Sequence, residues 1–325
     1  MTASILVTRA TFGDVIEHLG RHFEVDSNPD DAVLGAAELI RRLQGKHGVM
    51  STGTERIDDA LLAACPELKA VCNVGVGYNN IDVAACTARG VVVTNTPDVL
   101  TETTADFGFA LMMATARRIT ESERSLRRGE WTRTGIYDHF VGSDVHGATL
   151  GILGMGRIGQ AIARRGAFGF GMRVMYHNRS RLPASAEADC RASYVDKATL
   201  LKEADHLLLV VPYSASSHHA IGEAELRQMK PSATLTNIAR GGIVDDAALA
   251  RALREGRIAA AGLDVFEGEP KVHPDLLTVP NIVLTPHIGS ASVRTRRAMA
   301  LLAADNLIAA LGGGPQAGRP LTPVN

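Results

Sequence analysis

Apolar runs of strand length alternate with amphipathic segments along the first hundred residues. ILVT lies near the start, followed by a helix-like stretch at 11–20 and then by DDAVLGAAELIRRL, GVMST, IDDALLAAC, LKAVCNV and VVVTN. A strand covered on both faces reads as a continuous aliphatic run, whereas a helix lying on it shows apolar positions three and four apart. Their alternation predicts parallel βαβ units. A second series begins near residue 150, where ATLGILGMG, RVMYHN, HLLLVVP, ATLTNIA, AAAGLDVF and NIVLTPH read as six strands with helices between them, as in a doubly wound sheet.

Between the series lies TETTADFGFALMMATARRI, a long helical candidate after the turn-forming TPD at 96–98, placed to connect two domains. Residues 291–311 form a second long helix, closed by Gly312, Gly313 and Gly314 where a C-cap is expected. The tail QAGRPLTPVN has no period and is expected to be irregular. Residues 119–147, with Trp131, Tyr137, His139 and Phe140, carry aromatics without regular pattern.

At 325 residues the chain exceeds the usual size of one domain, so two are expected. Its 34 Lys and Arg balance 35 Asp and Glu, which removes the electrostatic case for nucleic acid or an anionic membrane as partner. MTASILVTRA lacks the basic and long apolar regions of a signal peptide, and the longest aliphatic runs, such as LLLVV at 207–211, are strand-sized rather than membrane-spanning. Cys65, Cys72, Cys86 and Cys190 form no CxxC pair and read as free thiols of a reducing, cytoplasmic compartment. No metal is expected.

ATLGILGMGRIGQAIARRG sets Gly154, Gly156 and Gly159 between an apolar strand and an amphipathic helix. In that context the first glycine permits a tight turn, the second lets backbone approach a pyrophosphate, and the third permits close helix packing. Met155, Arg157 and Ile158 accompany them at the helix N-terminus, whose N–H groups favour phosphate. The next strand ends on Asn178, where an acidic side chain would bind the ribose hydroxyls of NAD. Asn178 is neutral, and Arg179, Ser180 and Arg181 follow it, a set suited to a 2′-phosphate. NADP(H) is therefore the expected dinucleotide, with NAD(H) the alternative.

TLTNIARGG, AGLDVFEGEP and IVLTPHIGS each end a strand with a polar group, giving Arg240, Glu269 and His287. Ligands of open α/β sheets sit beyond the carboxyl ends of strands. Hydride transfer to a ketone leaves charge on oxygen, so the site needs a proton donor and a cation for an adjacent carboxylate. Histidine suits the first role, supported by a carboxylate such as Glu269, and arginine suits the second.

These pieces, with VGVGYNNID at 74–82, NTPDVLTETTADFGFALMMATARR and NIARGGIVDDAAL, run in order from about residue 70 to 295. On them the chain resembles the D-isomer-specific 2-hydroxyacid dehydrogenase family, particularly its glyoxylate/hydroxypyruvate and 2-ketogluconate reductase branch. The resemblance implies reduction of a small 2-keto acid by NADPH to a D-2-hydroxy acid, with Arg240, Glu269 and His287 as the catalytic triad. Backbone at Val76 and Gly77 would receive the substrate carboxylate, with Leu100 near the pocket and Arg240 binding substrate as well. Cofactor contacts would come from Thr104, Val211, Pro212, Ile238, Ala239, Asp264, His287 and Gly289, and more loosely from Ser217 and His218, since YSASSHHAIG departs from the usual Thr-Pro-Glu-Thr-like run.

The resemblance also implies two Rossmann-like domains with parallel sheets. A discontinuous, flavodoxin-like substrate domain would comprise 1–98 and 289–325, with a doubly wound cofactor domain, 99–288, inserted in it. It implies a homodimer joined through the cofactor domains; the aromatics of 119–147 suit a segment that packs on the partner, the alternative being a surface loop with one buried Trp. The chain ends soon after its long final helix, so the regulatory extension of many phosphoglycerate dehydrogenases is not expected. The runner-up is a corepressor-like NAD(P)-sensing binding protein of the same fold.

Overall fold

Strands β1 (Ser4–Val7), β2 (Glu24–Ser27), β3 (Gly48–Ser51), β4 (Ala70–Asn73) and β5 (Val92–Thr94) alternate with helices α1 (Gly13–Gly20), α2 (Ala36–Leu43), α3 (Asp59–Ala64) and α4 (Val83–Ala88). They come from a computed structural model that describes residues 2–325. The strands form one parallel sheet in the order β2-β1-β3-β4-β5. Every residue of β3 and β4 is buried, because helices cover both faces. On one face Leu39, Leu43, Leu61, Leu62 and Cys86 pack on Leu6, Val49, Val71 and Val93. On the other, Val15 and Leu19 of α1 join Ala300, Ala303, Ala304 and Leu307 of α12 (Val293–Ala310) over Ile5, Val7, Met50, Ala70 and Cys72. The first unit therefore comprises the chain through Leu100 together with Ala291–Asn325.

Two details of this unit differ from the sequence pattern. The DDAVL stretch does not join α2, because Asp31 takes a positive φ of 54° and pairs with Arg9 at 2.8 Å, holding the chain extended before Gly35. The tail is not wholly irregular. Thr94 forms an antiparallel bridge with Pro323, the Val324 N–H donates to Val93 O at 2.8 Å, and the Val93 N–H donates to Asn325 Oδ1 at 2.8 Å. The open edge of β5 is thereby occupied.

The second unit, Thr101–Ser290, opens with α5 (Thr101–Ala116) and α6 (Ile119–Arg127). It continues through β6 (Thr149–Leu153), α7 (Arg157–Arg164), β7 (Arg173–His177), α8 (Ala184–Cys190), β8 (Ala192–Tyr194), α9 (Lys197–Glu203) and β9 (His206–Leu209). The remaining strands and α-helices are α10 (Glu223–Leu226), β10 (Thr234–Asn237), α11 (Asp246–Arg254), β11 (Ala260–Leu263) and β12 (Ile282–Leu284). Seven parallel strands run β12-β11-β10-β9-β6-β7-β8. From β6 the chain winds outward through β7 and β8, then crosses back to β9, so the switch point of a doubly wound sheet lies at the end of β6.

The sheet has one strand more than the apolar runs indicate. Helix α5 belongs to this unit, packing on α7, β10 and β11, rather than standing free as a connector. Arg118, in the left-handed region at φ 53°, breaks it from α6, so residues 119–127 are helical and the irregular stretch starts only afterwards. All four cysteines are buried free thiols. Among the described residues no helix is long and apolar enough to cross a membrane.

Candidate active site

The glycine turn sits at the switch point, between β6 and α7. Gly154 has φ 103°, and a Cβ there would lie 2.7 Å from the backbone of Val210 and Val211. A Cβ on Gly159 would lie 2.3 Å from Gly154 O. Those two glycines are required by the protein itself. Gly156 is not: it is exposed, and a Cβ there would meet nothing within 4 Å. The open space in front of Gly156, at the N-terminus of α7, is the cradle a dinucleotide pyrophosphate needs, so the residues present fit that group.

Asn178 has a task the sequence reading did not assign. Its Oδ1 accepts from the Met155 N–H at 2.6 Å, fastening the glycine turn to the end of β7. The two arginines beyond it also differ. Arg181 is committed to Glu187 through two contacts of 2.8 Å, and the Tyr176 hydroxyl donates to the same carboxylate at 2.7 Å. The Arg181 guanidinium and the Tyr176 hydroxyl together hold the Glu187 carboxyl at about 2. Arg179 and Ser180 are exposed, and Arg179 makes no ion pair among the described residues.

Arg240, Glu269 and His287 lie beyond the carboxyl ends of β10, β11 and β12. Buried Asn237 shapes the first turn: its Oδ1 accepts from the Ala239 N–H at 3.0 Å and its Nδ2 donates to Arg240 O at 3.1 Å. Ile238 and Ala239 are buried in that turn, and half-buried Arg240 donates only to Ala239 O, at 2.8 Å. Gly241 follows because a Cβ would lie 1.7 Å from Phe266 O. Burial lowers the Arg240 guanidinium from its ordinary value, opposed by the charge of Glu269, and it remains a cation near neutrality.

Glu269, whose peptide bond to Pro270 is cis, uses both carboxylate oxygens. Oε1 accepts from the Phe266 N–H at 2.8 Å and Oε2 lies 2.8 Å from His287 Nδ1. Burial, the largest influence on this carboxyl, pushes it up. The His287 hydrogen bond and charge, the Phe266 N–H and the Arg240 charge outweigh burial and hold it below the usual carboxylate range. His287 adopts φ 52°, its N–H donating to Asp264 O at 2.9 Å. The buried Asp264 carboxylate receives Thr285 Oγ1 at 2.7 Å and the N–H groups of Ile288 and Gly289 at 2.8 Å each. Asp264 thus builds the loop that presents His287. The result is an imidazole with Nδ1 held by a carboxylate and Nε2 open, beside a cation with spare donors.

The other expected positions are divided between the two units. Thr104 is buried against Gly289, and its Oγ1 has no hydrogen-bond partner among the described residues. Val211 and Pro212 follow β9, while the Ser217 hydroxyl donates to Pro212 O at 2.9 Å and so serves its own loop. In the first unit, Leu100 is buried. Asn73 Nδ2 donates to Gly77 O at 3.0 Å and Asn95 Nδ2 to Val76 O at 2.8 Å. The carbonyls are tied back, whereas the Val76 and Gly77 N–H groups find no partner among the described residues. Such a turn can receive a carboxylate.

Comparison with known proteins identifies the family. Residues 109–289 match the family model described as D-isomer specific 2-hydroxyacid dehydrogenase, NAD binding domain. The chain is 48% identical over 316 residues to a glyoxylate reductase of Thermococcus gammatolerans, covering 96% of this chain and 94% of that one. It is 46% identical over 317 residues to glyoxylate/hydroxypyruvate reductase B of Klebsiella pneumoniae, covering 96% of each. The crystal structure of an NADPH-dependent glyoxylate/hydroxypyruvate reductase from Sinorhizobium meliloti, in complex with NADP and malonate, superposes with a TM-score of 0.87 at 39% identity, covering 100% of this chain and 97% of that one.

Proposed function

The chain belongs to the D-isomer specific 2-hydroxyacid dehydrogenase family and is an oxidoreductase of small 2-keto acids with a nicotinamide cofactor; from that premise we propose an NADPH-preferring reductase of glyoxylate and hydroxypyruvate. The observation that carries the reading is the 2.8 Å contact between His287 Nδ1 and Glu269 Oε2, close to the half-buried charge of Arg240. It leaves His287 Nε2 as the proton donor. The reduced nicotinamide, when bound, supplies the hydride to the carbonyl carbon. His287 delivers a proton to the carbonyl oxygen, Glu269 balances the charge on the ring, and Arg240 pairs with the substrate carboxylate and polarises the carbonyl.

The cofactor would be held by the turn Gly154–Gly159, by Thr104, Ile238, Ala239 and Gly289, and by the Asp264 loop. Preference for NADPH is supported by the absence of a carboxylate at Asn178 and by the exposed cation of Arg179, which has no ion pair among the described residues and can meet a 2′-phosphate. A homodimer belongs to the same reading. Around α6 and the stretch that follows, Trp131, Tyr137, Ile136 and Val141 are exposed large apolar side chains, Tyr137 at 91%. A second copy of this chain is the partner that would cover them.

The decisive assay follows oxidation of NADPH and NADH against glyoxylate, hydroxypyruvate and 2-ketogluconate, with pyruvate and phosphohydroxypyruvate as controls. Highest kcat/KM for one of the first two with NADPH is expected. Faster turnover of a control, or a preference for NADH, would overturn the reading. His287→Asn should lower kcat by roughly 10²–10⁴-fold. Arg240→Ala should reduce kcat/KM comparably with NADPH binding retained.

A further inference from the structure

The turn after β9 carries adjacent histidines, His218 and His219, opposite Glu267; the family resemblance gives His218 only a loose cofactor contact, and His219 and Glu267 have no part in the reaction or in cofactor binding. One ligand atom from each lies within 4.8 Å of the other two. We propose that His218, His219 and Glu267 form a binding site for a divalent late transition ion, zinc being the type ion.

Consecutive side chains normally diverge, but here the backbone sets them side by side. His219 takes φ 49°, uncommon for a non-glycine residue, and its N–H donates to Gly242 O at 2.7 Å. The two rings stack with centroids 3.8 Å apart and planes 23° from parallel. His219 Nε2 already lies 2.9 Å from Glu267 Oε2. The Tyr213 hydroxyl sits 3.2 Å from His218 Nδ1, which leaves Nε2 of that ring as the free ligand atom. Metal-bound histidines commonly have their second ring nitrogen engaged in this way.

Two imidazoles and a carboxylate suit zinc, cobalt, nickel or copper, whereas magnesium and calcium require oxygen ligands. Zinc takes nitrogen and oxygen ligands at about 2.0–2.2 Å, so the widest pair must close, and the exposed His218 can do so by rotating its side chain. The ion would take the place of the direct hydrogen bond between His219 and Glu267. Solvent completes the coordination. The ion would clamp the 213–219 turn to the loop that carries Glu269, two residues beyond Glu267.

The test is titration of the full chain with Co²⁺, read by its visible ligand-field bands, followed by displacement with Zn²⁺. One ion per chain is expected. Loss of a ligand should cost at least what loss of a second-sphere partner does, so His218→Ala and Glu267→Gln should each weaken binding by roughly 10–100-fold or more. Zinc should raise the thermal midpoint of the wild type and leave that of either variant unmoved, with metal-free midpoints showing that both variants fold. Unsaturable binding by the wild type, wild-type affinity in both variants, or displacement of Co²⁺ by equimolar Mg²⁺ would each overturn the site.

Discussion

Removing the guanidinium of Arg179 should raise the KM for NADPH and leave that for NADH nearly unchanged. A hydrogen bond to a charged group contributes roughly 1.5–3 kcal/mol, equivalent to about tenfold or more in affinity. Arg181→Ala should act differently, because its fork is already spent on Glu187: stability falls while cofactor selectivity holds. Steady-state kinetics with both cofactors, beside thermal melts, separates the two residues. If Arg181→Ala instead abolishes the preference, the assignment is reversed. Both arginines were visible in the sequence, but which one is free depends on Glu187, which α8 brings back to the end of β7. Neutral Asn178 was read by what it lacks, and its hold on the Met155 N–H is a tertiary contact that no local spacing displays.

Asp246 offers a pH test at the same scale. Burial raises this carboxyl to about 6, the neighbouring charges of Glu267 and Asp245 adding to the effect against the Glu267 N–H and the charge of His273. A carboxyl raised on folding favours the protonated form, so its contribution is present below the unfolded value and is lost as pH rises through about 6. Asp246→Asn should therefore be more stable than wild type above that pH, by up to about 3 kcal/mol, with the difference closing in acid. Chemical denaturation across the pH range reads it directly. An Asn variant less stable at every pH would show that the Glu267 N–H contact outweighs the burial of charge.

At the scale of elements, the turn after β10 depends on contact between backbones. Gly241→Ala would drive a methyl into Phe266 O, and neither partner is a side chain that can swing away. Overpacking typically costs about 1–3 kcal/mol, and an approach this close should reach the upper end or beyond. The melt should fall and kcat with it, since Arg240 precedes the glycine and Phe266 N–H orients Glu269. A variant with wild-type kcat would uncouple the turn from the chemistry.

The elements that the sequence pattern missed share a cause. β2, with EVDS, and β8, with ASY, are the two strands at sheet ends opposite β5 and β12, where partial exposure removes the aliphatic run that marks β3, β4 or β9. The break between α5 and α6 falls at Arg118, with neither glycine nor proline to announce it. By contrast, Gly154, Arg240, Glu269 and His287 were legible, because each closes an apolar strand and the end of a parallel strand leads to the site. The cluster of His218, His219 and Glu267 went unread, His218 being taken only as a loose cofactor contact: the pair and its carboxylate are far apart in sequence, and no local spacing links them.

For the whole molecule, the exposed aromatic stretch sets a test of assembly. If a second copy covers it, light scattering should give twice the 34.5 kDa chain mass. Exchanging Tyr137 and Trp131 for serine should shift that mass toward one chain. A wild-type mass of one chain at micromolar concentration would remove the dimer. Neither variant should alter the thiols, since all four are buried and the burial of Cys72 pushes it up to about 12.

The first unit is sewn from both ends of the sequence, and this has a consequence for biosynthesis. Ile5, Val7, Met50, Ala70 and Cys72 leave the ribosome before the second unit, yet residues that cover them, from Ala300 to Ile308, are made after it. The second unit, wholly encoded between, can finish while its neighbour still shows a bare apolar sheet face. A nascent chain therefore exposes that face until α12 has emerged, and a chain truncated before Val293 should aggregate rather than give a shortened enzyme.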